Sequence, residues 1–210
     1  MALYIAFEGG EGSGKSTQVR LLARTLSTPE LAPSGPPVVT HEPGATPLGR
    51  QLRQLLLDVD QAPVGTRAEA LLMAADRAQH MEEVVRPALA DGRHVIADRS
   101  AYSSLAYQGG GRQLGVEPVR RVNDWALDGL WPDLVLLLDC TPDAAASRRS
   151  RALDRLEAEA DGFHERVHRT FTDLATADPD RWAVIDGSRT IEEVSADVWT
   201  AVAQRIEATS

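Results

Sequence analysis

The segment Gly9-Gly10-Glu11-Gly12-Ser13-Gly14-Lys15-Ser16, set directly behind the apolar run Leu3-Tyr4-Ile5-Ala6-Phe7, decides how this chain is read. It fits the phosphate-binding pattern G-x-x-x-x-G-K-[ST] in the context that pattern needs, with a strand before it and a helical pattern, Ser16 to Leu26, after it. Glycines let the backbone wrap closely around phosphate oxygens and turn successive N–H groups inward. The helix that follows presents its positive end to the same anion. In this pattern Lys15 reaches the β- and γ-phosphates of a nucleoside triphosphate, and the Ser16 hydroxyl is a ligand for Mg²⁺. The alternative is a glycine-rich strand–helix turn that binds nothing.

Outward from this segment, strand-like runs recur at Val38–Thr40, His94–Ala97, Leu134–Leu138 and Trp182–Ile185. Their continuous apolar character suits strands covered on both faces. Helical patterns lie between them: Pro47–Leu57, Arg67–Leu89, Glu117–Leu127, Pro142 through Leu174, and Ile191–Glu207. Alternating β and α elements predict a parallel sheet with helices on both sides. Ligands should gather at the carboxyl ends of its strands. Polar residues mark those ends: Glu8, His41-Glu42, Asp98-Arg99, Asp139 and Asp186. Ser27 to Pro37, rich in Pro and Ser, reads as a surface loop, and the 210 residues read as one domain.

The net charge is −9. That argues against a nucleic-acid partner, which calls for a basic surface. Lys15 is the single lysine, so arginine supplies the remaining positive charge. The bias fits bidentate contacts to phosphate and carboxylate, and fits genome composition equally well. Cys140, the one cysteine, excludes an intramolecular disulfide and reads as a small buried residue. The N-terminal apolar run is too short for a membrane span and lacks a basic flank, so a cytoplasmic enzyme is expected.

Other stretches carry possible chemistry. Asp98-Arg99 closes a strand, where the carboxylate can orient Mg²⁺ and the guanidinium can bind phosphate, or the two can form a salt-bridged strand end. Tyr107-Gln108-Gly109-Gly110-Gly111-Arg112 is a second glycine-rich stretch, and three glycines do not continue a helix cheaply, so it also reads as a bare turn. Arg148-Arg149-Ser150-Arg151 with Asp154-Arg155 is the densest positive cluster. By itself it reads as a solvated helix face. Beside a phosphate loop that has no arginine, it reads as a lid over transferring phosphates. In Met73-Ala74-Ala75-Asp76-Arg77-Ala78-Gln79-His80, core and surface positions are the simpler reading on pattern alone.

Taken in order, these residues resemble the thymidylate kinase family in its bacterial form. The likeness runs nearly the whole length, through Phe7 to Thr17, Glu42-Pro43-Gly44, Thr46 to Gly49, Leu52-Arg53, Ala75 to His80, Asp98-Arg99, Ala106 to Arg112, Pro132 to Leu134, Leu153 to Arg155, Phe163 to Val167 and Val184 to Asp186. The resemblance implies a P-loop nucleoside-monophosphate-kinase fold: a five-stranded parallel sheet flanked by helices, with an arginine-rich lid near residues 146–160. It implies transfer of the γ-phosphate of ATP to dTMP, with Mg²⁺, by a homodimer. Gly9, Gly10, Glu11, Gly12, Ser13, Gly14, Lys15, Ser16 and Thr17 would hold the ATP phosphates, with Ser188 and Arg189 near adenine. Glu11 would orient the acceptor or the Mg²⁺ shell, with Ser16 and Asp98 on the metal. Arg53 and Arg99 would hold the acceptor phosphate, at a site that also takes in Glu42 and Pro43. Arg77 would hydrogen-bond thymine, Ser104 and Gln108 would line the base site, and Tyr107 would pack beneath the sugar. Arg148 and Arg155 would engage the transferring phosphates.

The chain departs from the family pattern at three places. Met73 stands where a phenylalanine stacks on the base, His41 where an arginine precedes Glu-Pro-Gly, and Ala45 where a second glycine stands. Methionine is adaptable but does not stack as a ring does. These departures bear on base selectivity, so a kinase for another nucleoside monophosphate is the first alternative. A P-loop protein that binds nucleotide without transferring phosphate is the second.

Overall fold

The computed structural model describes residues 2–58, 62–140, 155–156 and 158–209. Five strands, β1 (Tyr4–Glu8), β2 (Val38–His41), β3 (Val95–Asp98), β4 (Leu134–Asp139) and β5 (Trp182–Asp186), form one parallel sheet in the order β2-β3-β1-β4-β5. The order reverses beside β1, so the glycine loop after β1 opens where neighbouring crossovers diverge to opposite faces. Each strand runs on through the polar residue expected to lie just beyond it. Phe7 pairs with Asp98, His41 with Asp98, Glu8 with Leu137 and Asp139 with Asp186. Ladder pairing therefore fixes the bases of these five side chains along one edge of the sheet.

Alternation along β1 sends Ile5 and Phe7 to one face and Tyr4 to the other. The first face is covered by α1 (Lys15–Thr25) and the C-terminal helix, here α8 (Ile191–Thr209), through Val19, Leu22, Val194, Val198 and Val202. The second is covered by α3 (Thr66–His80), α6 (Val116–Leu127) and α7 (Asp161–Ala177) with their neighbours, through Met81, Leu105, Leu127, Phe163 and Phe171. The three inner strands are buried on both sides. The edge strands β2 and β5 are not, and Val39 and Val184 are exposed.

Two helical stretches widen locally. The helix expected from Arg67 to Leu89 is α3, a π segment at Met81–Val85 and α4 (Arg86–Ala90) in unbroken succession. Pro87 lacks an N–H, and the wider turn just ahead of it absorbs the missing hydrogen bond. The triple glycine does not end in a bare turn. α5 (Ala101–Ser104) passes into a π segment over Leu105–Gly111, and a Cβ at Gly110 or Gly111 would run into Thr170 or Phe163 of α7. Close packing against α7 offsets what the glycines cost in helix propensity. α2 (Pro47–Leu57) starts as a cap rule predicts: Thr46 accepts from the Gly49 N–H at 2.9 Å and Pro47 follows it. The helical pattern from Pro142 lies outside the described residues through 154, and α7 begins only at Asp161. Cys140, one residue past β4, is half-buried rather than buried.

Candidate functional site: two clefts at the carboxyl edge of the sheet

The glycine loop leaves β1 so close to β4 that a Cβ on Gly9, at φ +133°, would stand 2.6 Å from the Leu138 carbonyl oxygen. Glycine is required there. The loop returns through Gly14 into α1, whose first residue is Lys15. Lys15 is buried, and its Nζ donates to the carbonyls of Gly9 (3.1 Å) and Gly10 (2.7 Å), with Ser13 Oγ at 3.4 Å. Burial, and next the positive charge of Arg99, lower its pKa to about 8.

Ser16 Oγ donates to Asp98 Oδ2 at 2.7 Å, which joins the first turn of α1 to the end of β3. The pair offers two hard oxygens at the mouth of a large cleft, which Lys15, Thr17, His41 and Arg189 also line. Among the described residues no cluster of three His, Cys, Asp or Glu side chains could hold a metal. Two hard oxygen donors suit Mg²⁺, which keeps waters and phosphate oxygens in its shell and takes one or two protein ligands.

Glu8 is sealed at the end of β1 and accepts four hydrogen bonds: from the N–H and Oγ of Ser100 to Oε1, from the Ser103 N–H to Oε1, and from Ser103 Oγ to Oε2. Burial raises its pKa against the pull of Arg99 and these donors. The carboxylate thus clamps the turn that follows Arg99, a residue held at φ +74°. Arg99 Nη1 donates to Gly9 O and Ser103 Oγ, both at 3.2 Å. Its Nη2 lies 3.7 Å from Glu11, and the guanidinium sits over the Tyr107 ring at 5.1 Å from its centroid.

Arg99 is also the junction between the large cleft and a second, smaller one. Glu11, Glu42 and Arg53 line both as well. Arg53 Nη1 donates to the Pro43 carbonyl at 2.9 Å, across the cis Glu42–Pro43 bond that follows β2. The floor is a buried polar network around Arg77, which is 2% exposed. Its Nε donates to Glu42 Oε2 at 2.7 Å, Nη1 to Ser104 Oγ at 3.2 Å and to Asn123 Oδ1, and Nη2 to the Ser100 carbonyl at 3.2 Å. His80 bridges Glu42 Oε1 at 2.8 Å and Thr40 Oγ1 at 2.7 Å. Burial alone would raise the Glu42 pKa, but Arg77 and then His80 hold it below the usual value.

The sequence-read residues fall into these clefts with some displacements. Pro43, Met73, Ser104, Tyr107 and Gln108 line the smaller cleft with Arg53, Arg77 and Arg99. Asp98 faces the larger one, beside Ser16. Arg189 lines the larger cleft, while the Ser188 N–H and Oγ are turned onto Asp186 Oδ1. Arg155 lines neither: Nη2 lies 3.8 Å from Glu69 Oε2, and its backbone N–H meets the Leu57 carbonyl. Arg148 lies outside the described residues, as do Arg149, Arg151 and Asp154. Glu69 and Asn123 have no part in the sequence reading, and His80 enters it only as the end of the stretch Ala75 to His80, with no role of its own. Asn123 and Glu69 sit in ordinary helix patterns and gave no signal. The Ser100-x-x-Ser103 spacing behind Asp98-Arg99 could have pointed to a clamped turn.

The thymidylate kinase family model matches residues 7–198. The chain belongs to the thymidylate kinase family. The thymidylate kinase of Bifidobacterium longum (strain NCC 2705) is 47% identical over 208 residues, which cover 98% of this chain and 97% of that protein. That of Cutibacterium acnes is 44% identical over 204 residues, covering 97% and 96%. The crystal structure of thymidylate kinase from Ehrlichia chaffeensis superposes with a TM-score of 0.78 at 31% identity, over 96% of this chain and 98% of that one. Membership accounts for the parallel five-stranded fold and for the glycine loop at its centre.

Proposed function

We propose that this chain transfers the γ-phosphate of ATP to dTMP, giving dTDP and ADP, with Mg²⁺ in attendance. The observation that carries the reading is the meeting of the two clefts at Arg99, Arg53 and Glu11, with the phosphate loop and Lys15 on one side and the Arg77 network on the other. An acceptor phosphate held by Arg53 and Arg99 would stand against the γ-phosphate of a nucleotide held by Gly9 to Thr17. An acceptor oxygen then attacks phosphorus in line, the bond to the bridging oxygen breaks, and ADP leaves with that electron pair. Little covalent work falls to the protein, so positioning and charge stabilisation dominate.

Lys15, now on the Gly9 and Gly10 carbonyls, would exchange these for the β- and γ-phosphates, which restore its full charge. Ser16 and Asp98 would hold Mg²⁺, which supplies charge neutralisation across the phosphates. Glu11 would orient Arg99. Arg77, with Ser104, Gln108 and Met73, would bind the base, and Tyr107 would support the sugar. Arg148 and Arg155 would add positive charge at the transferring group. No helix among the described residues is long and apolar enough to cross a membrane. A cytoplasmic homodimer completes the reading, with exposed Leu71 and Trp125 on the packed pair α3 and α6 as candidate contacts.

The test is ADP release from ATP and Mg²⁺ with dTMP, dUMP, dCMP, dGMP, dAMP and UMP in turn. A selective response to dTMP is the expected result. Preference for another acceptor, the alternative that Met73 favours, would keep the transfer chemistry and move the substrate. ATP binding with no acceptor-dependent release would refute the kinase reading.

A further inference from the structure

Gln108 stands in the wall of the acceptor cleft at 1% exposure, and its amide is held in one orientation. Its Nε2 donates to Glu69 Oε1 at 2.9 Å. Glu69, from the first turn of α3, is itself 1% exposed. Arg112 grips it with Nε 3.3 Å from Oε1 and Nη2 3.1 Å from Oε2, and Arg112 is held in turn by Glu159. A carboxylate paired with a guanidinium only accepts hydrogen bonds. Turning the Gln108 amide over would press its oxygen against a carboxylate oxygen, acceptor against acceptor, and take Nε2 away from its partner. Its Oε1 is therefore directed away from Glu69, and no described residue donates to it.

Arg77 lines the same cleft. A guanidinium has five N–H donors. Four of Arg77's are engaged, by Glu42, Ser104, Asn123 and the Ser100 carbonyl, which leaves one hydrogen on Nη2. The cleft thus combines a fixed acceptor and a spare donor, on residues that are only 1% and 2% exposed.

We propose that Glu69 sets base selectivity through Gln108. By fixing the amide oxygen toward the acceptor, it makes the cleft take a pyrimidine edge that carries a carbonyl beside a ring N–H. Thymine and uracil present that edge. Cytosine reverses it, with an exocyclic amine facing the Arg77 donor and a bare ring nitrogen facing the Gln108 acceptor. Mismatched, buried polar groups are what give a hydrogen-bonding pocket strong discrimination. Glu69 is a positioning residue here: it touches Gln108 and not the substrate. The inference rests on the nucleotide kinase reading above and names what selects its acceptor.

The experiment compares kcat/KM for dTMP and for dCMP in the full chain, in Glu69→Gln, in Gln108→Ala and in the double variant. Replacing Glu69 with an amide removes the rule that fixes Gln108, so the dTMP-to-dCMP ratio is expected to fall at least about tenfold, more through the KM for dTMP than through kcat. In the Gln108→Ala background the same substitution should change the ratio less than about twofold, since the amide it orients is gone. A purely structural role for Glu69 would lower both acceptors together, and an unchanged ratio in folded Glu69→Gln overturns the inference. Independent, multiplying losses in the double variant overturn it as well. If Glu69→Gln does not fold, the wild-type chain decides through binding of N3-methyl-dTMP. That ligand should bind at least about tenfold more weakly than dTMP, and equal binding overturns the inference. Wild-type transfer to dTMP with an unaffected Glu69→Gln ratio sinks this inference alone. A wild-type chain that phosphorylates neither acceptor sinks both readings.

Discussion

Gly110→Ala sets two effects of opposite sign against each other. Gly110 lies in the π segment that carries Tyr107 and Gln108 into the acceptor cleft. On helix propensity alone, alanine would stabilise that segment by about 1 kcal/mol. The added Cβ, however, would stand 3.0 Å from Thr170 Cβ and 3.3 Å from the Arg166 carbonyl oxygen, with Thr170 Oγ1 nearer still. Thr170 can swing its hydroxyl aside only by giving up its 2.8 Å bond to that Arg166 carbonyl, worth about 1 kcal/mol. The Thr170 Cβ and the carbonyl belong to the backbone course of α7 and do not rotate away, so α7 or the π segment must shift. Overpacking of this kind costs about 1–3 kcal/mol. The net effect is destabilising by about 1–3 kcal/mol, or a Tm about 3–10 °C lower for a chain of this size. The shift also moves Tyr107 and Gln108, so the KM for dTMP should rise. The assay is thermal unfolding together with ADP-release kinetics. Thr170→Ala clears the nearest clash, so it should cost less in the Gly110→Ala background than alone. An unchanged or higher Tm for Gly110→Ala, or strictly additive effects of the two substitutions, would refute the packing argument.

Lys15→Ala removes a buried cation aimed at the phosphates and should lower kcat by at least about 100-fold in the ADP-release assay, and turnover within tenfold of wild type would dismiss its role. The pH dependence of ATP binding follows from the lowered Lys15 pKa of about 8. The ligand-free folded chain loses this proton above pH 8 whereas bound phosphates favour the ammonium, so the ATP Kd should rise with pH above 8, approaching tenfold per unit. For stability alone the sign is opposite, because between about 8 and the ordinary 10.5 the unfolded chain binds the extra proton and the folded state gains as pH rises. Lys15→Arg should flatten the binding profile, and a flat wild-type profile in calorimetry from pH 6.5 to 9.5 would contradict the assignment. Met73→Phe places a ring in the lining of the acceptor cleft and should tighten dTMP binding severalfold, from about 0.5–1.5 kcal/mol of ring stacking; an unchanged or weaker Kd would show that the base does not stack there.

Local chemistry made much of this molecule legible in its sequence. The glycine loop announces itself because the spacing of its glycines, lysine and serine is dictated by one anion and one short turn. The five apolar runs announce a parallel sheet because strands buried on both faces have no polar alternation to obscure them. Sequence polarity places every strand end one residue short, while ladder pairing continues through Glu8, His41, Asp98, Asp139 and Asp186. Propensity alone suits the glycine triplet equally to a turn, because its compensation comes from Thr170 and Phe163, more than fifty residues away.

The sequence by itself determined the class of sheet, the place of the phosphate loop and the family. Each depends on neighbouring residues or on an ordered set of short motifs. Only the tertiary structure decided which polar groups meet: Ser16 with Asp98, Glu8 with Ser100 and Ser103, Arg77 with Glu42 and Asn123, and Gln108 with Glu69. These partners are separated by tens of residues, and each one alone looks like a solvated surface charge or an ordinary helix position. Apart from the exposed Ser16–Asp98 pair, burial is what turns them into a site. Without water to satisfy it, every buried polar atom needs a specific partner, and the fold brings that partner from another element.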